Sequence, residues 1–457
     1  MLNILRARRP RLARELKEML RLALPLVFGQ LSAIGMNVID AMLAGHVDAH
    51  TLGAVAVGTS VWSLALVAAI GVMLALPPSV AQLSGAGRRA EIGPLFRQAL
   101  WLALILGILL WIGVRLAGPL LVAAIGVDAA LIPDVTRFLH AISYGAPALT
   151  LFFSLRGLSE GLGMTRPTMY FSLLGLILLG PVGYVLMYGR LGFPALGALG
   201  SGIATACVLY VDAFAFLAYV ALRRHYRDLV LFAHFERPNF VAIRELLRIG
   251  VPMGVSLFME ASLFVAVALA IGTLGTDVVA SHQIAINVAS VTFMVPLGIA
   301  MATTVRVGHA VGRGDREGVR DAGLIGILLT LTAQSVSVIL MLTVPDRIAS
   351  LYTSDTAVIV LAAQLLVLAG LFQFSDGIQV AASGALRGLK DTRIPMLITT
   401  FAYWGVGMPV GWWLAFPGAL GARGMWMGLI AGLSMAAVLL SVRFWRLVRT
   451  EPALAAA

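Results

Sequence analysis

Four carboxylates lie within apolar segments of this chain: Asp40, Asp212, Glu260 and Asp376. A charged side chain at the centre of a membrane helix costs roughly 2.5 to 3.5 kcal/mol on insertion scales, so each is a functional candidate. A carboxylate in a low-dielectric site can be compensated by a proton, by a sodium ion with oxygen ligands, or by an organic cation. Because these ligands compete for one site, the chemistry they predict is cation exchange.

The polar residues around Asp376 repeat at helical spacing. Gln373 lies three positions before it, and Gln379 and Ser383 follow at three and seven positions, so they form one stripe on a helix. Glu260 lies in the middle of a second, otherwise apolar segment. Both carboxylates are therefore predicted to bind the coupling cation or the substrate, and sodium is one candidate ion.

Asp40 also has polar companions on its predicted helix. Gln30 and Asn37 precede it by ten and three positions, near the same face, although a plain helix-end aspartate at the outer interface is the alternative. Asp212 has no such stripe, and an interhelical hydrogen bond and a cavity role are equally open for it. Two amides of another segment are predicted as supporting hydrogen-bond partners or, equally, as helix-packing polar residues: Gln283 and Asn287.

The elements that carry these residues are predicted to be membrane helices. The chain has 457 residues, of which 60% are hydrophobic and 12% charged, and this is too apolar for a soluble surface. The apolar runs do not alternate as the strands of a membrane barrel do. They divide into about twelve spans, each near the roughly 20 residues that a membrane helix needs: 20–44, 52–78, 95–116, 132–155, 168–189, 197–222, 246–273, 279–306, 321–343, 356–386, 395–415 and 421–444.

The basic residues predict an orientation in the membrane. Five of the 33 Lys and Arg residues fall in alternate loops, and the other 28 fall at the termini and in the remaining loops. This positive-inside bias predicts that both termini lie in the cytoplasm of a bacterium and that the protein is in the inner membrane. The same distribution explains the net charge of +11 without a nucleic-acid partner. It also predicts that Arg156 and Arg387 lie in cytoplasmic loops.

The two halves of the chain repeat each other. Pro25 and Pro252 begin matching spans 227 positions apart, and Thr165 and Thr392 share that offset. A duplicated unit of six spans enters the membrane twice in the same direction, which predicts an all-α fold of two parallel six-helix repeats around a central cleft. The predicted parts are a basic cytoplasmic N-terminus, a first lobe, a cytoplasmic linker, a second lobe and a cytoplasmic tail: 1–19, 20–222, 223–245, 246–445 and 446–457.

Several short segments carry a resemblance that extends over essentially the whole chain: 40–45 (DAMLAG), 85–88 (GAGR), its repeat 312–315 (GRGD), 189–194 (GRLGFP), 281–287 (SHQIAIN) and 386–392 (LRGLKDT). In these segments the chain resembles the multidrug and toxic compound extrusion (MATE) family, and within it the bacterial NorM-like branch. The resemblance implies two six-helix bundles that face a cleft, and cation-coupled efflux of organic cations such as fluoroquinolones and dyes. It also implies coupling carboxylates at Asp40, Glu260 and Asp376.

The chain departs from that family at two positions of its fifth span. Similar transporters often have asparagines where this chain has Leu179 and Gly183. A cation site in the first lobe would therefore have fewer ligands, which favours Glu260 and Asp376 as the coupling residues.

Other function classes are less consistent with the sequence. A flippase for lipid-linked sugars could share the two-lobe architecture, but its pyrophosphate would need a cationic cavity, whereas the deep charges are acidic. A major-facilitator pump would be expected to have GxxxDRxGR between spans two and three, and a channel would need a continuous polar pore. There is no zinc or nucleophile motif and no GxxxxGK[ST] loop, so enzymatic activity is not expected. The predicted partners are organic cations and membrane lipid, with no cofactor and no obligatory protein partner.

Overall fold

The computed structural model describes residues 2–232, 234 and 236–450, and the side chains of these residues except 2–9 and 68. The side chains of Arg6, Arg8 and Arg9 in the predicted basic N-terminus lie outside the described part of the chain. So do residues 451–457 of the predicted tail. Throughout the described residues, every regular element is a helix.

Sixteen α-helices follow one another along the chain. In the first half they are α1 Leu2–Val47, α2 Ala49–Met73, α3 Leu76–Gly85, α4 Ile92–Ala124, α5 Ile132–Ser143, α6 Ala146–Gly161, α7 Arg166–Tyr188 and α8 Ala198–Leu222. In the second half they are α9 Phe240–Gly272, α10 Thr276–Gly312, α11 Arg316–Thr343, α12 Pro345–Ser350, α13 Thr356–Gly388, α14 Arg393–Thr400, α15 Met408–Ala415 and α16 Ala422–Thr450.

The prediction of an all-helical membrane protein with about twelve spans is confirmed. Among the described residues, 11 helical segments are long and apolar enough to cross a membrane, and α5 with α6 makes a twelfth if the pair is one bent span. The two helices of that pair meet at 44°. Pro147, in the first turn of α6, lacks the N–H that a continuous helix would need, so the predicted span 132–155 is interrupted between α5 and α6.

The described residues form two compact units. One comprises residues 28–254, and the other comprises the chain up to Val27 together with the chain from Val255 onward. The boundaries fall inside α1 and α9. The predicted lobes 20–222 and 246–445 stay a prediction. They were defined by the predicted membrane spans, whereas the two compact units are defined by contacts within the structure.

The unit of residues 28–254 has an aromatic core. Phe216 of α8 stacks on Phe171 of α7 with ring centroids 4.6 Å apart, and Phe152 of α6 contacts Phe216 edge to face at 5.7 Å. The linker before α9 closes one end of this core, because buried Tyr226 shares a hydrogen bond of 2.9 Å with Ser159 of α6. The aromatic rings therefore fix α6, α7 and α8 relative to one another.

The same linker is also joined to α4. Glu236 pairs with Arg97, and the backbone N–H of Asn239 donates to Gln98 Oε1 over 2.7 Å. The indole N–H of Trp101 donates to the Glu236 carbonyl oxygen over 2.9 Å. The hydrogen bond from Arg97 holds the pKa of Glu236 below its ordinary value of 4.5.

This pair predicts an acid-sensitive linker. Because the pKa of Glu236 is lower in the folded state than in the unfolded state, the stabilisation is complete above about pH 4.5 and is lost as the pH falls through the lower folded value. We expect the exchange protection of the Asn239 amide, corrected for its intrinsic rate, to be constant from pH 8 to pH 5 and to fall in stronger acid. In Glu236→Gln the protection should be lower than in the wild type from pH 8 to pH 5, and the difference should disappear in stronger acid. An unchanged protection factor in this variant would contradict the assignment.

In the unit formed by the chain up to Val27 and from Val255 onward, ion pairs hold the beginning of α1. Arg11 binds Asp315 at 2.8 Å and Glu317 at 2.7 Å. Arg306 of α10 binds Glu15 at 2.5 Å, and both of these side chains are largely buried. These contacts explain why the first turns of α1 belong to the same compact unit as α10 and α11.

Candidate functional site

Glu260 and Asp376 lie in the same unit of the structure, on α9 and α13. Asp376 is 4% exposed, and its Oδ1 atom has no hydrogen-bond partner. Glu260 is half-buried. The two carboxyl groups interact electrostatically with each other. The structure thus brings together two of the three carboxylates that were predicted to couple transport to a cation.

The position of Asp376 depends on close packing between α13 and α10. A Cβ atom on Gly384 would lie 2.5 Å from the carbonyl oxygen of Ala300, so this helix crossing accepts only a glycine. Thr304 of α10 donates a hydrogen bond from Oγ1 to the Gly384 carbonyl oxygen over 2.8 Å. Helix α13 also packs against α11 and α16. Asp376 is therefore buried among helices of its own unit.

Tyr403 is a third polar residue near the two carboxylates, and the sequence analysis missed it. Its side chain is fully buried, its hydroxyl has no hydrogen-bond partner, and it interacts electrostatically with both Glu260 and Asp376. It lies on the π-helix Phe401–Gly407 that connects α14 to α15. Such π-helical turns are rare and frequently occur at functional sites. One tyrosine in an apolar span has no periodic partner, so no spacing rule could have identified it.

The predicted glutamine stripe of α13 contacts polar residues of α10 and α11. Gln373 donates from its side-chain amide to the Thr292 hydroxyl, and Gln334 donates from Nε2 to the Gln373 carbonyl oxygen over 3.3 Å. The side-chain oxygens of Gln334, Gln373 and Gln379 have no partner. They are acceptors that can bind a protonated carboxyl group or a hard cation. Sequence analysis predicted Gln373 and Gln379 but missed Gln334, which is isolated in the apolar run of α11.

A sodium ion at this position would need mixed ligands. In the part of the chain that the structure describes, no group of three or more His, Cys, Asp or Glu side chains could hold a metal ion. The two carboxylates Glu260 and Asp376 would therefore act with neutral oxygens, for which the glutamine side chains and the Tyr403 hydroxyl are the candidates. Oxygen ligands of this type suit hard cations, so the residues present are compatible with sodium.

Arg387 lies next to this cluster rather than in a loop. It is in the last turn of α13, its Nε and Nη2 atoms are buried without a hydrogen-bond partner, and it interacts electrostatically with Glu260. The prediction of a cytoplasmic loop position was therefore wrong for this residue. The helix continues past the apolar run to Gly388, where a Cβ atom would lie 2.7 Å from the side chain of Val307 in α10.

The supporting amides of α10 do not join the cluster in this structure. Gln283 and Asn287 are exposed, whereas the neighbouring His282 is buried with its ring centroid 5.9 Å from that of Trp426. No side-chain hydrogen bond joins either amide to Glu260 or Asp376 among the described contacts. Their supporting role stays a prediction.

In the unit of residues 28–254, Asp40 has one defined partner. Asp40 is 8% exposed and accepts a hydrogen bond of 2.5 Å at Oδ1 from the hydroxyl of Ser201 in α8. Asn37, its predicted companion, is exposed. The buried hydrogen bond shows that Asp40 does more than end a helix at an aqueous surface.

Asp212 is the fourth deep carboxylate, and it lies apart from any polar stripe. It is 5% exposed, and its Oδ1 atom has no hydrogen-bond partner. It occupies the space beside Gly175 of α7, where a Cβ atom would lie 3.2 Å from the carboxyl carbon of Asp212. Its interhelical hydrogen bond and its cavity role both stay predictions.

Arg156, which the sequence analysis also assigned to a loop, forms a buried ion pair. Arg156 lies inside α6 and binds Glu160 at 2.6 Å, and the two side chains are 9% and 2% exposed. Arg156 also donates from Nη2 to Gln30 Oε1 over 2.9 Å. The loop position predicted for Arg156 was wrong. Glu160 compensates its charge within the same helix, so α6 extends beyond the apolar run. Gln30 therefore binds Arg156 and not Asp40.

Comparison with known proteins gives the family of the chain. The MatE family profile matches residues 25–186 and again residues 252–413. The second match begins 227 positions after the first, at the repeat offset predicted from Pro25 and Pro252. The chain belongs to the MatE family.

Relatives in this family are close in sequence. The probable multidrug resistance protein NorM of Xanthomonas campestris is 50% identical over 95% of each chain. The multidrug resistance protein PmpM of Pseudomonas aeruginosa is 42% identical over 96% of this chain and 93% of its own. The multidrug resistance protein NorM of Vibrio vulnificus is 39% identical over 95% of this chain and 96% of its own.

Solved structures of similar proteins share the fold. The eukaryotic MATE transporter AtDTX14 superimposes with a TM-score of 0.87 at 20% identity and covers 96% of this chain and 98% of its own. A MOP superfamily transporter from Pyrococcus furiosus, described as having a binding pocket of reverse polarity that suggests a different function, gives a TM-score of 0.85 at 20% identity, over 95% of this chain and 96% of its own. The fold is therefore shared by proteins whose pockets differ in polarity, and the cargo has to be argued from the residues.

The MatE fold of this chain has an apolar patch in place of the asparagines expected in its fifth span. Leu179 of α7 is 2% exposed and packs with Ala204 and Val208 of α8. A Cβ atom on Gly183 would lie 2.8 Å from Leu43 of α1. Neither residue offers an oxygen ligand, so Asp40 depends on Ser201 for its hydrogen bond.

Replacing Ser201 by alanine tests that dependence. We expect Ser201→Ala to lower the free energy of unfolding by about 1 to 3 kcal/mol, because it leaves a buried carboxyl group without its donor. Thermal unfolding in detergent measures the change. Ser60→Ala is the matched control, since the exposed Ser60 hydroxyl only donates to a carbonyl of its own helix. Equal stability of the two variants would contradict the role of Ser201.

Proposed function

We propose that this chain exports organic cations across the bacterial inner membrane in exchange for protons or sodium ions. The observation that carries the proposal is the pair of interacting carboxylates Glu260 and Asp376, within helices long and apolar enough to span a membrane. Charged groups at such depth are expensive and are retained where they bind ions or substrates.

The exchange follows from competition for these carboxylates. Each carboxylate is stabilised when a proton, a sodium ion or an organic cation neutralises it, and binding of one ligand weakens binding of the others. If the neutralising cation differs between the two states of the transporter, an ion gradient drives the organic cation outward. The glutamine oxygens of α13 and α11 are acceptors for whichever ligand is bound.

The cargo is proposed to be cationic because of the signs of the deep charges. A flippase for lipid-linked sugars would need cationic side chains for pyrophosphate, whereas four deep carboxylates are present here and Arg156 is neutralised by Glu160. Arg387 is the exception, and its charge is smaller than the combined charge of Glu260 and Asp376. The names of the relatives support a substrate range of several drugs. Membrane lipid is the other proposed partner, and the cytoplasmic location of both termini stays part of the proposal.

Transport by the purified protein tests the proposal. Wild-type protein in liposomes should move ethidium against its concentration gradient when a proton gradient or a sodium gradient is imposed, each gradient being tested alone. Liposomes without protein give the leak rate, and an anionic dye of similar size tests the sign of the cargo. An ethidium transport rate equal to the leak rate under both gradients would overturn the proposal and would favour the flippase. Transport of a fluorescent lipid-linked sugar would then be measured in the same liposomes.

A further inference from the structure

An open cavity lies between the beginning of α4 and the linker that leads to α9, residues 223–239. Its volume is about 340 Å³, within the range of roughly 300 to 1,000 Å³ that ligand pockets occupy. The residues that line it belong to the unit of residues 28–254, which contains neither Glu260 nor Asp376. The cavity is therefore not part of the proposed coupling site.

The walls of the cavity are mainly apolar. They are formed by residues of α4 and of the linker: Leu100, Trp101, Leu104, Leu231 and Phe232. The ring of Phe232 packs edge to face on Phe96 with centroids 6.3 Å apart, and the indole N–H of Trp101 donates to the backbone of Glu236. Both aromatic walls are thus fixed before a ligand binds, which lowers the entropic cost of binding.

The apolar wall continues along one side of α4. Leu104, Ile108 and Ile112 are spaced four residues apart, so they lie on one side of the helix, and all three are exposed. The segment Arg89–Ala124 is long and apolar enough to span a membrane, and the cavity lies near its start. The cavity therefore connects the polar linker with a surface suited to the acyl chains of a bilayer.

The polar end of the cavity presents charges of both signs. Arg97, which is 12% exposed, pairs with Glu236, which is 35% exposed, and His234 also lines the cavity. The Nε–H of Arg97 has no acceptor among the described residues, and a carboxylate such as that of Glu236 can accept several hydrogen bonds. A ligand with a single charge is attracted by one member of this pair and repelled by the other. A ligand that carries both charges is attracted by both.

We propose that this cavity binds the headgroup of a zwitterionic phospholipid, one that carries a primary ammonium and a phosphate, with an acyl chain along Leu104 and Ile108. The ammonium donates to Glu236, and the phosphate accepts from Arg97 and His234. Phosphatidylethanolamine is a lipid of this class. The inference makes the proposed lipid partner specific, and it rests on the proposed function only for the location of the chain in a membrane.

Native mass spectrometry of the full-length protein in detergent tests the proposal, because it resolves the first lipid bound. The probes are phosphatidylethanolamine, phosphatidylcholine and phosphatidylglycerol with identical acyl chains. We expect the first phosphatidylethanolamine to bind about tenfold more tightly than phosphatidylcholine, whose ammonium has no N–H, because one hydrogen bond to a charged group is lost. Phosphatidylglycerol has no ammonium and should be weaker than phosphatidylethanolamine by a similar factor.

A variant that fills the cavity links this binding to its position. Leu104→Trp should weaken the binding of phosphatidylethanolamine about tenfold, because the larger side chain keeps the ammonium away from Glu236. Leu109→Trp is the matched control, since Leu109 is an exposed leucine of the same helix that does not line the cavity. It should bind this lipid with wild-type affinity. Thermal unfolding of the two variants at the same temperature shows that both are folded.

The other outcomes would each overturn the proposal. Equal affinity of Leu104→Trp and Leu109→Trp for phosphatidylethanolamine would do so, as would equal affinity of the wild type for phosphatidylethanolamine and phosphatidylcholine. Tighter binding of phosphatidylglycerol would assign an anionic lipid to the cavity, and ethidium binding that Leu104→Trp abolishes would assign a cationic ligand.

The lipid result and the transport result can fail separately. If the lipids bind as expected but wild-type protein does not transport ethidium, the proposed function fails and the lipid site stands. If ethidium is transported and Leu104→Trp binds phosphatidylethanolamine as tightly as the wild type does, the proposed function stands and the lipid site fails.

Discussion

Glu260→Gln and Asp376→Asn should each reduce ion-driven ethidium transport by a factor on the order of 10 to 100. Both substitutions keep the size and the hydrogen-bonding capacity of the side chain but remove the charge that binds a cation. The variants can still fold, because a buried neutral amide costs less than a buried carboxylate. Initial rates in liposomes under the gradient that drives the wild-type protein measure the effect.

The control for this prediction is a carboxylate outside the cluster. Asp346 on α12 is exposed, and Asp346→Asn should transport ethidium at the wild-type rate. Either cluster variant transporting at that same rate would show that its carboxylate is not part of the coupling site. A loss in only one of them would identify which carboxylate exchanges the ion.

The second large effect concerns stability rather than transport. Arg156→Met should lower the free energy of unfolding by about 3 to 5 kcal/mol, the usual cost of removing one member of a buried ion pair. The loss arises because Glu160, which is 2% exposed, keeps its charge or must take up a proton, and Gln30 loses its donor. Thermal unfolding in detergent, followed by tryptophan fluorescence, measures it.

A double variant separates the ion pair from packing. Arg156→Met combined with Glu160→Gln removes both charges, and we expect it to recover more than half of the lost stability, because no uncompensated charge remains. If the double variant is as unstable as Arg156→Met alone, lost packing of the arginine stem explains the effect. The single variant retaining wild-type stability would show that the pair contributes nothing.

Hydrophobicity and repetition were enough to predict most of the fold. Continuous apolar runs specify membrane helices by length alone, and the offset between Pro25 and Pro252 reappears in the two family matches. The bend between α5 and α6 was missed because the residues on both sides of Pro147 were assigned to one span, 132–155. Proline interrupts some membrane helices and begins others, and the difference depends on which neighbouring groups satisfy the freed carbonyls.

The candidate site could be predicted in part, for a physical reason. Asp376 and Glu260 are identified by the cost of their charge in an apolar segment, and that cost is a local property of the sequence. The contributions of Tyr403 and Arg387 depend on which helices lie side by side. Arg387 was assigned to a loop because its charge ends the apolar run, although the residue lies in the last turn of α13. Arg156 was misplaced for the same reason.

The central claim is that a coupling ion and an organic cation compete for the carboxylates of the cluster. The most direct test is ethidium binding to the purified protein in weakly buffered solution, with a pH indicator and, in parallel, radioactive sodium to count the ions released. We expect each bound ethidium to release about one proton or one sodium ion, and its affinity to fall as that ion is added. Ethidium binding with no ion released, and with an affinity independent of both pH and sodium concentration, would contradict the account.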